Sequence, residues 1–298
     1  MNHSNNPTHQ PIWGAIWMIA AGAAFACINT ALQFLGMKLG LDSTIATFFQ
    51  YCFALLCLLP FFDHQRMVNA FSSKHRSLHL LRILVSVIGI QLWTWALSQV
   101  PIWQGIALLM TSPLFATLGS GLFLGEKVSI TRWGTTLFGF AGAMIILAPW
   151  SDEFSYYALL PIAAAMCWAA ASLMTKYSLA DDSPLTVVGY MLVLMLPVNA
   201  IFVLPQFSWP ASPQVWWLLI FAGILTAFAQ WAIAKAYASA EASYVQPFDH
   251  VKLPLNVLAG FVVFNYIPPG QLWLGAAMII AAVSLITFHE KHLQSKAA

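Results

Sequence analysis

The chain has very few charged residues. Only 7% of its 298 residues are Asp, Glu, Lys or Arg, whereas soluble domains carry about 25%. Hydrophobic residues make up 60%, and the mean hydropathy is +0.76. None of the four charged types occurs between Arg82 and Glu126, between Arg132 and Asp152, or between Asp182 and Lys235. A soluble core does not account for such runs, so the composition indicates an integral membrane protein.

Cysteine is also scarce, and several chemical motifs are missing. Cys27, Cys52, Cys57 and Cys167 lie in apolar stretches without metal-ligand spacing. We interpret them as small packing residues and expect neither a disulfide nor a metal site. The phosphate-binding pattern GxxxxGK[ST] does not occur, so direct ATP hydrolysis by this chain is not expected, and no cofactor is predicted. The mildly basic balance shows no nucleic-acid footprint.

Turn residues and charges divide the chain into ten apolar segments. A helix needs about 20 mostly apolar residues to cross a bilayer, and each segment is close to that length. The fold class predicted is therefore an all-α integral membrane protein with ten transmembrane helices. The spans are placed at 12–35, 44–62, 78–98, 102–124, 131–149, 157–179, 185–205, 214–238, 242–265 and 269–288.

The distribution of basic residues predicts how these spans are oriented. If the N-terminus is cytoplasmic, the inside segments hold nearly all Lys and Arg, and the outside connections hold Lys38 alone. Positive residues favour the cytoplasmic side, so both termini are expected there. The polar segment 1–11 has no Lys or Arg and no cleavage motif, and we interpret it as a short cytoplasmic tail.

The two halves of the chain can be aligned with each other. The text TSPLFATLGSGLFLG near Pro113 matches KLPLNVLAGFVVFNY near Pro254, and the same offset places Gly134 on Gly275. Five spans in each copy give the copies opposite orientations, which is an inverted repeat typical of secondary transporters. The predicted modules are residues 12–149 and 157–288. Prolines at matching positions of spans four and nine favour a shared cavity over simple packing kinks.

Two long stretches resemble a known family. ALSQVPIWQGIALLMTSPLFATLGSGLFLGEKVSITRWGTTLFGFAGAMIIL resembles the first EamA module of the drug/metabolite transporter superfamily, and ASAEASYVQPFDHVKLPLNVLAGFVVFNYIPPGQLWLGAAMIIAAVSLITFHE resembles the second. The resemblance implies two inverted five-helix EamA repeats around a cavity lined by spans 1, 3, 4, 6, 8 and 9. The stretch PFDHVKLP looks most like the branch with S-adenosylmethionine and riboflavin carriers and amino-acid exporters. Relatives often carry arginine where this chain has Gln50, and Asn265–Tyr266 replaces the acidic residue that Glu126 provides in the first copy.

Span nine carries the most informative polar residues. Asp249, Lys252 and Asn256 follow the spacing i, i+3, i+7 and lie on one helical stripe. Ionisable residues at that depth are costly and point to a cavity or a partner. Two interpretations stay open: Asp249 and Lys252 neutralise each other, or they contact substrate or a coupling proton. His250 is either a proton acceptor or a packing residue. Lys235 either forms a gate or extends to the headgroups.

Other polar and aromatic residues are expected to complete the site. Interhelical hydrogen bonding is the alternative for the polar residues, and core packing is the alternative for the deep Trp residues, which could instead stack on a planar or cationic substrate. The residues predicted to bind substrate are Asn29, Gln33, Gln91, Trp95, Thr111, Trp168, Ser172, Trp231, Tyr244 and Lys252. Those predicted for coupling or gating are Asp249, His250, Lys235, Pro113 and Pro254.

These features predict a secondary transporter of the cell inner membrane. Its substrate would be a small organic metabolite, such as an amino acid, an S-adenosylmethionine-like compound, a vitamin or an organic cation, moved by alternating access with protons as one candidate coupling ion. The expected partners are this substrate and the lipid bilayer, with either a monomer or a homodimer. A passive channel is the main alternative. An intramembrane enzyme is not expected, because no catalytic set of residues shares one depth.

Overall fold

The structure, a computed structural model, describes residues 11–58, 76–123, 130–151, 154–178, 184–239, 248 and 251–297. These residues form helices, turns and short connections, and no strand occurs among them. The α-helices are α1 (Pro11–Met37), α2 (Ser43–Leu58), α3 (Arg76–Gln99), α4 (Ile102–Leu109), α5 (Ser112–Phe123), α6 (Ile130–Leu147), α7 (Leu159–Ser178), α8 (Pro184–Val203), α9 (Pro213–Ser239), α10 (Lys252–Phe264) and α11 (Gly270–Ala297). The expected all-α class is confirmed for this part of the chain.

Four helical stretches are long and apolar enough to cross a membrane by length and composition. They are Ile12–Met37, Arg76–Gln99, Tyr156–Thr175 and Pro213–Ile233, found among the described residues. The other apolar helical stretches among the described residues are 10–17 residues long. Each of the ten predicted spans nevertheless overlaps at least one helix. The arrangement of ten spans in two repeats, and the module bounds 12–149 and 157–288, stay predictions.

The fourth predicted span, 102–124, is a broken helix. Between α4 and α5 the Thr111 hydroxyl donates to the Leu108 carbonyl at 2.7 Å, while the Thr111 carbonyl accepts from the backbone of Leu114 at 2.9 Å. Pro113 is the second residue of α5. A proline in a first turn removes no helical hydrogen bond. The proline therefore marks where the chain restarts a helix.

The second proline lies in a similar place. The described part of the ninth predicted span, 242–265, becomes an α-helix at Lys252, so Pro254 is the third residue of α10 and its ring is exposed. At the other end Asn265 closes α10 with φ 57°, and the backbone of Tyr266 donates to the Gly260 carbonyl at 3.2 Å. Asparagine tolerates this left-handed conformation better than most residues, which gives Asn265 a structural role.

The helices pack across the two halves of the chain. The closest partners are α1 with α9, α3 with α7, and α6 with α11, and further pairs are α2 with α9, α3 with α8, α1 with α10 and α5 with α7. If spans one to five are exchanged with spans six to ten, these pairs map onto one another. This pattern favours the predicted internal repeat.

Glycines allow the closest of these approaches. A β-carbon on Gly142 of α6 would lie 2.7 Å from the Gly275 carbonyl oxygen of α11, and one on Gly89 of α3 would lie 2.9 Å from Cβ of Cys167 on α7. At Gly223 of α9 it would meet Cβ of Phe53 and lie 3.0 Å from the Gln50 carbonyl of α2. Small residues at such crossings let membrane helices associate closely.

Candidate functional site

A cavity of about 340 Å³ lies between the helices at the centre of the molecule. Its size is at the lower end of the range of ligand sites in proteins, about 300–1,000 Å³. Eight helices line it: α1, α2, α3, α4, α7, α8, α9 and α10. The resemblance implied a lining from spans 1, 3, 4, 6, 8 and 9, and the structure adds α2 and α8, which are spans two and seven. The polar and aromatic lining residues are Phe25, Asn29, Gln50, Tyr51, Ser86, Trp93, Thr94, Trp168, Gln230 and Lys252.

One wall is a chain of side-chain hydrogen bonds. The Trp93 indole N–H donates to Oδ1 of Asn29 at 3.1 Å, and Nδ2 of Asn29 donates to Oδ1 of Asn256 at 3.1 Å. Nδ2 of Asn256 in turn donates to the Lys252 carbonyl at 2.6 Å. Asn29 and Asn256 are buried, so these bonds satisfy groups that would be costly to leave unpaired. The chain fixes the Trp93 ring and links α3, α1 and α10.

The aromatic face of the cavity comes from two tryptophans. The rings of Trp93 and Trp168 are 6.3 Å apart between centroids and inclined at 53°. Gly89 lies against Trp168, because a β-carbon there would approach Cδ1 and Nε1 of the indole at 3.4 Å. Such rings offer large apolar surfaces and a quadrupole for stacking. This face suits a planar organic group.

The opposite wall carries a second buried amide. Nε2 of Gln50 on α2 donates to Oγ1 of Thr226 on α9 at 2.8 Å, and the Thr226 hydroxyl donates to the Ala222 carbonyl at 2.7 Å. The bond crosses close to Gly223, where α2 and α9 are in tight contact. Gln50 therefore joins two helices and also lines the cavity.

The charge of this cavity is low. Lys252 is the one residue with a formal charge among the described lining residues. It is the first residue of α10, and its backbone nitrogen and Cβ are close to Gly22 of α1. The rest of the described lining is neutral and offers hydroxyl, amide and indole groups. The site can therefore bind a neutral polar molecule with little desolvation of fixed charges.

Three of the ten predicted substrate-binding residues line this cavity: Asn29, Trp168 and Lys252. Gln33 is fully buried and Nε2 donates to the Val100 carbonyl at 2.8 Å. Thr111 is also fully buried and closes the break between α4 and α5. Both side chains hold helices together outside the described lining of the central cavity.

The other four described residues are distributed differently, and Tyr244 lies outside the described residues. Gln91 and Trp95 line a second cavity of about 470 Å³ at the end of the bundle where α1 ends and α2 begins. Ser172 is exposed on α7. Trp231 is 43% exposed and packs edge-on against Trp17, with 4.8 Å between ring centroids.

The predicted coupling and gating residues are only partly visible. Asp249 and His250 lie outside the residues that the structure describes. Lys235 is exposed on α9, and its Nζ lies 5.7 Å from the Trp231 ring centroid, an arrangement in which the stem of the lysine covers an apolar surface. Pro113 and Pro254 occupy the first turns of α5 and α10.

Several residues of the central cavity were not predicted as site residues. Gln50 and Tyr51 belong to span two, which the resemblance left out of the lining. Trp93 and Gln230 also line the cavity but lie outside the set of predicted substrate-binding residues. A sequence signal for these residues exists. Each is a polar or aromatic residue near the middle of an apolar span, and this criterion applies equally to spans that the resemblance does not place around the cavity.

A buried arginine is a further polar feature near the cavity. Arg82 is 4% exposed, and its Nη1 donates to the Thr175 hydroxyl of α7 at 3.0 Å. One turn earlier His79 stacks on Tyr190 of α8, with ring centroids 4.5 Å apart and planes inclined by 4°. The Ser86 hydroxyl, which lines the cavity, donates to the Arg82 carbonyl at 2.8 Å. These residues join α3 to α7 and α8 on the predicted cytoplasmic side.

The closely packed apolar helices and their tryptophan-lined cavity of low charge are features of a membrane transporter for small organic molecules. No His/Cys/Asp/Glu group able to hold a metal occurs among the described residues. The chain belongs to the EamA-like transporter family, which it matches over residues 12–148 and 155–288. This family is part of the drug/metabolite transporter superfamily, and its members are transporters and not enzymes.

Curated relatives match nearly the whole chain. The chain is 55% identical to a riboflavin transporter of Vibrio cholerae, over 94% of this chain and 94% of that protein. It is 46% identical to a riboflavin transporter of Rhizobium johnstonii, over 96% and 94% of the two chains. It is 25% identical to an S-adenosylmethionine uptake transporter of Rickettsia bellii, over 95% and 96%. A solved crystal structure with TM-score 0.58 and 17% identity covers 92% of this chain and 98% of its own, and supports the same fold.

Proposed function

We propose that this protein transports riboflavin, or a closely similar planar heterocycle with a polyol chain, across the inner membrane. Its similarity to two riboflavin transporters, at 55% and 46% identity over nearly the full length of each, supports this substrate. The coarser function, transport of a small metabolite by a multi-pass membrane protein, follows from family membership.

The observation that carries the proposal is the pairing of tryptophans with amides in one cavity. The ring centroids of Trp93 and Trp168 are 6.3 Å apart, and Asn29 and Gln50 lie in the same lining. The ring system of riboflavin is planar and neutral at pH 7, and its polyol chain both donates and accepts hydrogen bonds. Indole faces suit the ring system, and amides suit the hydroxyl groups and the carbonyls.

The proposed mechanism is alternating access around this cavity. In this mechanism the path from the central cavity to the end of the bundle where α1 ends is closed. Two hydrogen bonds support this: Gln33 donates to the Val100 carbonyl at 2.8 Å, and Thr47 donates to Thr94 at 3.0 Å. In an inverted repeat the contacts related by the pseudo-two-fold axis would form at the opposite end when the halves rock. The distribution of Lys and Arg supports an orientation in which the closed end faces away from the cytoplasm and both termini lie in the cytoplasm.

Proton coupling is proposed through Asp249, on the strength of its position in an apolar span beside Lys252. A carboxylate at that depth is a frequent proton carrier in transporters. If Asp249 carries the proton, the pH dependence of uptake disappears in Asp249→Asn while binding persists. Unchanged pH dependence in a folded Asp249→Asn protein removes this residue from the coupling step.

The deciding experiment is uptake of radiolabelled riboflavin in a bacterial strain that can neither make nor import it. We expect saturable uptake that excess unlabelled riboflavin abolishes and excess S-adenosylmethionine does not. Trp168→Ala should lower the apparent affinity about tenfold, because the loss of one ring contact is worth about 1.4 kcal/mol. Trp217→Ala is the matched control, since Trp217 is 71% exposed on the surface of α9.

Three results would contradict the proposal. Uptake of S-adenosylmethionine without riboflavin uptake would indicate that the protein has the substrate of the S-adenosylmethionine transporters among its relatives. Riboflavin flux that increases linearly with concentration, without counterflow, would favour a passive channel. An equal loss in Trp168→Ala and Trp217→Ala at matched protein levels would remove the central cavity from the binding step.

A further inference from the structure

The second cavity has a lining suited to a hydroxylated ligand. Its polar lining includes Asp42, Gln91, Gln99 and Gln206, and Trp95 provides an aromatic face. Trp95 is 45% exposed, and Tyr157 packs on it edge-on with 6.1 Å between ring centroids. A half-exposed indole beside amides and a carboxylate combines an apolar platform with donors and acceptors, which is the chemistry that binds polyols and hydroxylated heterocycles.

The polar groups of this cavity retain unused bonding capacity. Nε2 of Gln91 donates to Asn199 at 2.9 Å, but Oε1 of Gln91 has no partner among the described residues. The bonds that Asp42 accepts from Thr44 and Gln206 all end on Oδ1, so Oδ2 remains available as an acceptor. A buried acceptor without a partner is costly, and a ligand hydroxyl could satisfy it after a small side-chain movement.

The second cavity is separated from the central cavity by nearly two helical turns along α2. On α2, Ser43 and Thr44 line the second cavity, whereas Gln50 and Tyr51 line the central one. Thr47 lies between them, fully buried, and its hydroxyl bonds to Thr94 of α3 at 3.0 Å. The two cavities therefore lie in series along α2, with Thr47 between them. On α3 their linings are adjacent on different faces, because Gln91 and Trp95 line the second cavity whereas Trp93 and Thr94 line the central one.

We propose that the second cavity is a separate binding site for the transported molecule, occupied before or after its passage through the central cavity. The inference rests on the proposed function for the identity of the ligand, a neutral heterocycle bearing a polyol chain. Trp95 stacks on the ring system, while Gln91 and Asp42 bond to its hydroxyl groups and Gln99 lies at the exposed rim. By the distribution of Lys and Arg this site faces away from the cytoplasm.

The test is protection of an introduced cysteine by riboflavin. The variant Gln99→Cys places a thiol at an exposed position of the second cavity, and the purified, detergent-solubilised protein is labelled with a fluorescent maleimide. At ten times the dissociation constant the site is free about one-eleventh of the time, so labelling should slow about tenfold. The unsubstituted protein reports any labelling of the four native cysteines, and Trp150→Cys, at a 69% exposed position, is a control that riboflavin should not protect.

Three further substitutions decide which cavity provides the protection. Adding Trp95→Ala to Gln99→Cys should abolish protection, whereas adding Trp95→Phe should retain most of it and shows that the fold tolerates a change there. Adding Trp168→Ala, in the central cavity, should leave protection in place. Loss of protection with Trp168→Ala overturns the proposal, because the thiol would then be reporting occupancy of the central cavity. Retention of protection with Trp95→Ala overturns it as well.

The outcomes also separate this inference from the proposed function. Riboflavin uptake by the unsubstituted protein without protection of Gln99→Cys overturns the second binding site and leaves the proposed function intact. Protection that depends on Trp95, without any uptake, supports the site and overturns transport of riboflavin. The absence of both uptake and protection overturns both.

Discussion

The side-chain amide of Asn29 on α1 donates to the side-chain carbonyl of Asn256 on α10 at 3.1 Å, across 227 positions of sequence. Both residues are buried, and Asn29 also accepts from the Trp93 indole. The bond thus connects the two halves of the chain and orients an aromatic wall of the central cavity. Its role is both structural and functional, and the two roles can be measured separately.

Replacing Asn29 with alanine should reduce stability moderately and transport strongly. Interhelical hydrogen bonds in membranes are worth about 0.6 kcal/mol on average and up to about 1.7, so losing two should cost about 1–3 kcal/mol. Because the Trp93 indole would no longer be held, we expect a larger loss of riboflavin affinity than stability alone explains. Thermal unfolding and uptake kinetics of the same variant provide the comparison.

Thr30→Ala is the matched control for Asn29→Ala. The Thr30 hydroxyl bonds only to the Ala26 carbonyl of its own helix, at 2.7 Å, and Thr30 lines an apolar groove between α1, α9 and α10. Its loss should leave riboflavin affinity unchanged. Equal effects of the two substitutions on affinity would show that the amide network does not position the site.

The crossing of α2 and α9 should be intolerant of added volume. A β-carbon at Gly223 would contact Phe53 and the Gln50 backbone, and overpacking of this kind costs about 1–3 kcal/mol. Gly223→Ala should therefore lower the unfolding temperature and weaken the Gln50–Thr226 bond. Gly134→Ala is the control, since nothing lies within 4 Å of a β-carbon there, and alanine favours a helix over glycine by up to about 1 kcal/mol. A Gly223→Ala protein as stable as Gly134→Ala would mean that the helices separate without cost.

Replacing Lys252, the charged residue in the described lining of the central cavity, should change the selectivity between riboflavin and S-adenosylmethionine more than the maximal rate of riboflavin uptake. S-adenosylmethionine carries a sulfonium group, and an uncompensated lysine charge about 8 Å from it would repel it by roughly 2 kcal/mol at an effective dielectric constant of 20, which is about thirtyfold in binding. Neutralisation of Lys252 by Asp249 would cancel this effect. Lys252→Met should therefore let S-adenosylmethionine compete with riboflavin uptake, while Lys235→Met, on the exposed face of α9, should not. If competition stays absent in Lys252→Met, this charge does not select against cations.

The sequence predicted which polar and aromatic residues lie deep in the apolar spans better than it predicted which cavity each side chain lines. Asn29, Trp168 and Lys252 were chosen because polar or indole groups in apolar spans need a reason, and all three line the central cavity. Trp95 was chosen on the same ground, but it lines the second cavity, whereas Trp93, two residues earlier, lines the central one. A membrane helix that is apolar all round provides no periodic signal for its buried face, so the phase of α3 had to come from packing.

Helix interruptions were predictable from proline, although their form was not. Prolines at matching positions indicated breaks in spans four and nine, and both Pro113 and Pro254 lie in the first turn of a helix. Proline fixes its own φ and lacks a donor, which marks a helix start as readily as a kink. The contribution of α2 to the cavity could not be predicted, because it depends on the long-range bond between Gln50 and Thr226.

The role of Gln33 provides a final prediction that separates substrate binding from helix packing. Gln33 is fully buried, and its amide donates to the Val100 carbonyl at the connection between α3 and α4. Gln33→Leu leaves that carbonyl unpaired, so we expect a lower unfolding temperature and a similar KM for riboflavin in the protein that remains folded. Gln33→Glu, which keeps an acceptor but loses the donor, should destabilise at least as much. A raised KM in Gln33→Leu without loss of stability would restore Gln33 to the substrate-binding set and require the connection to open during transport.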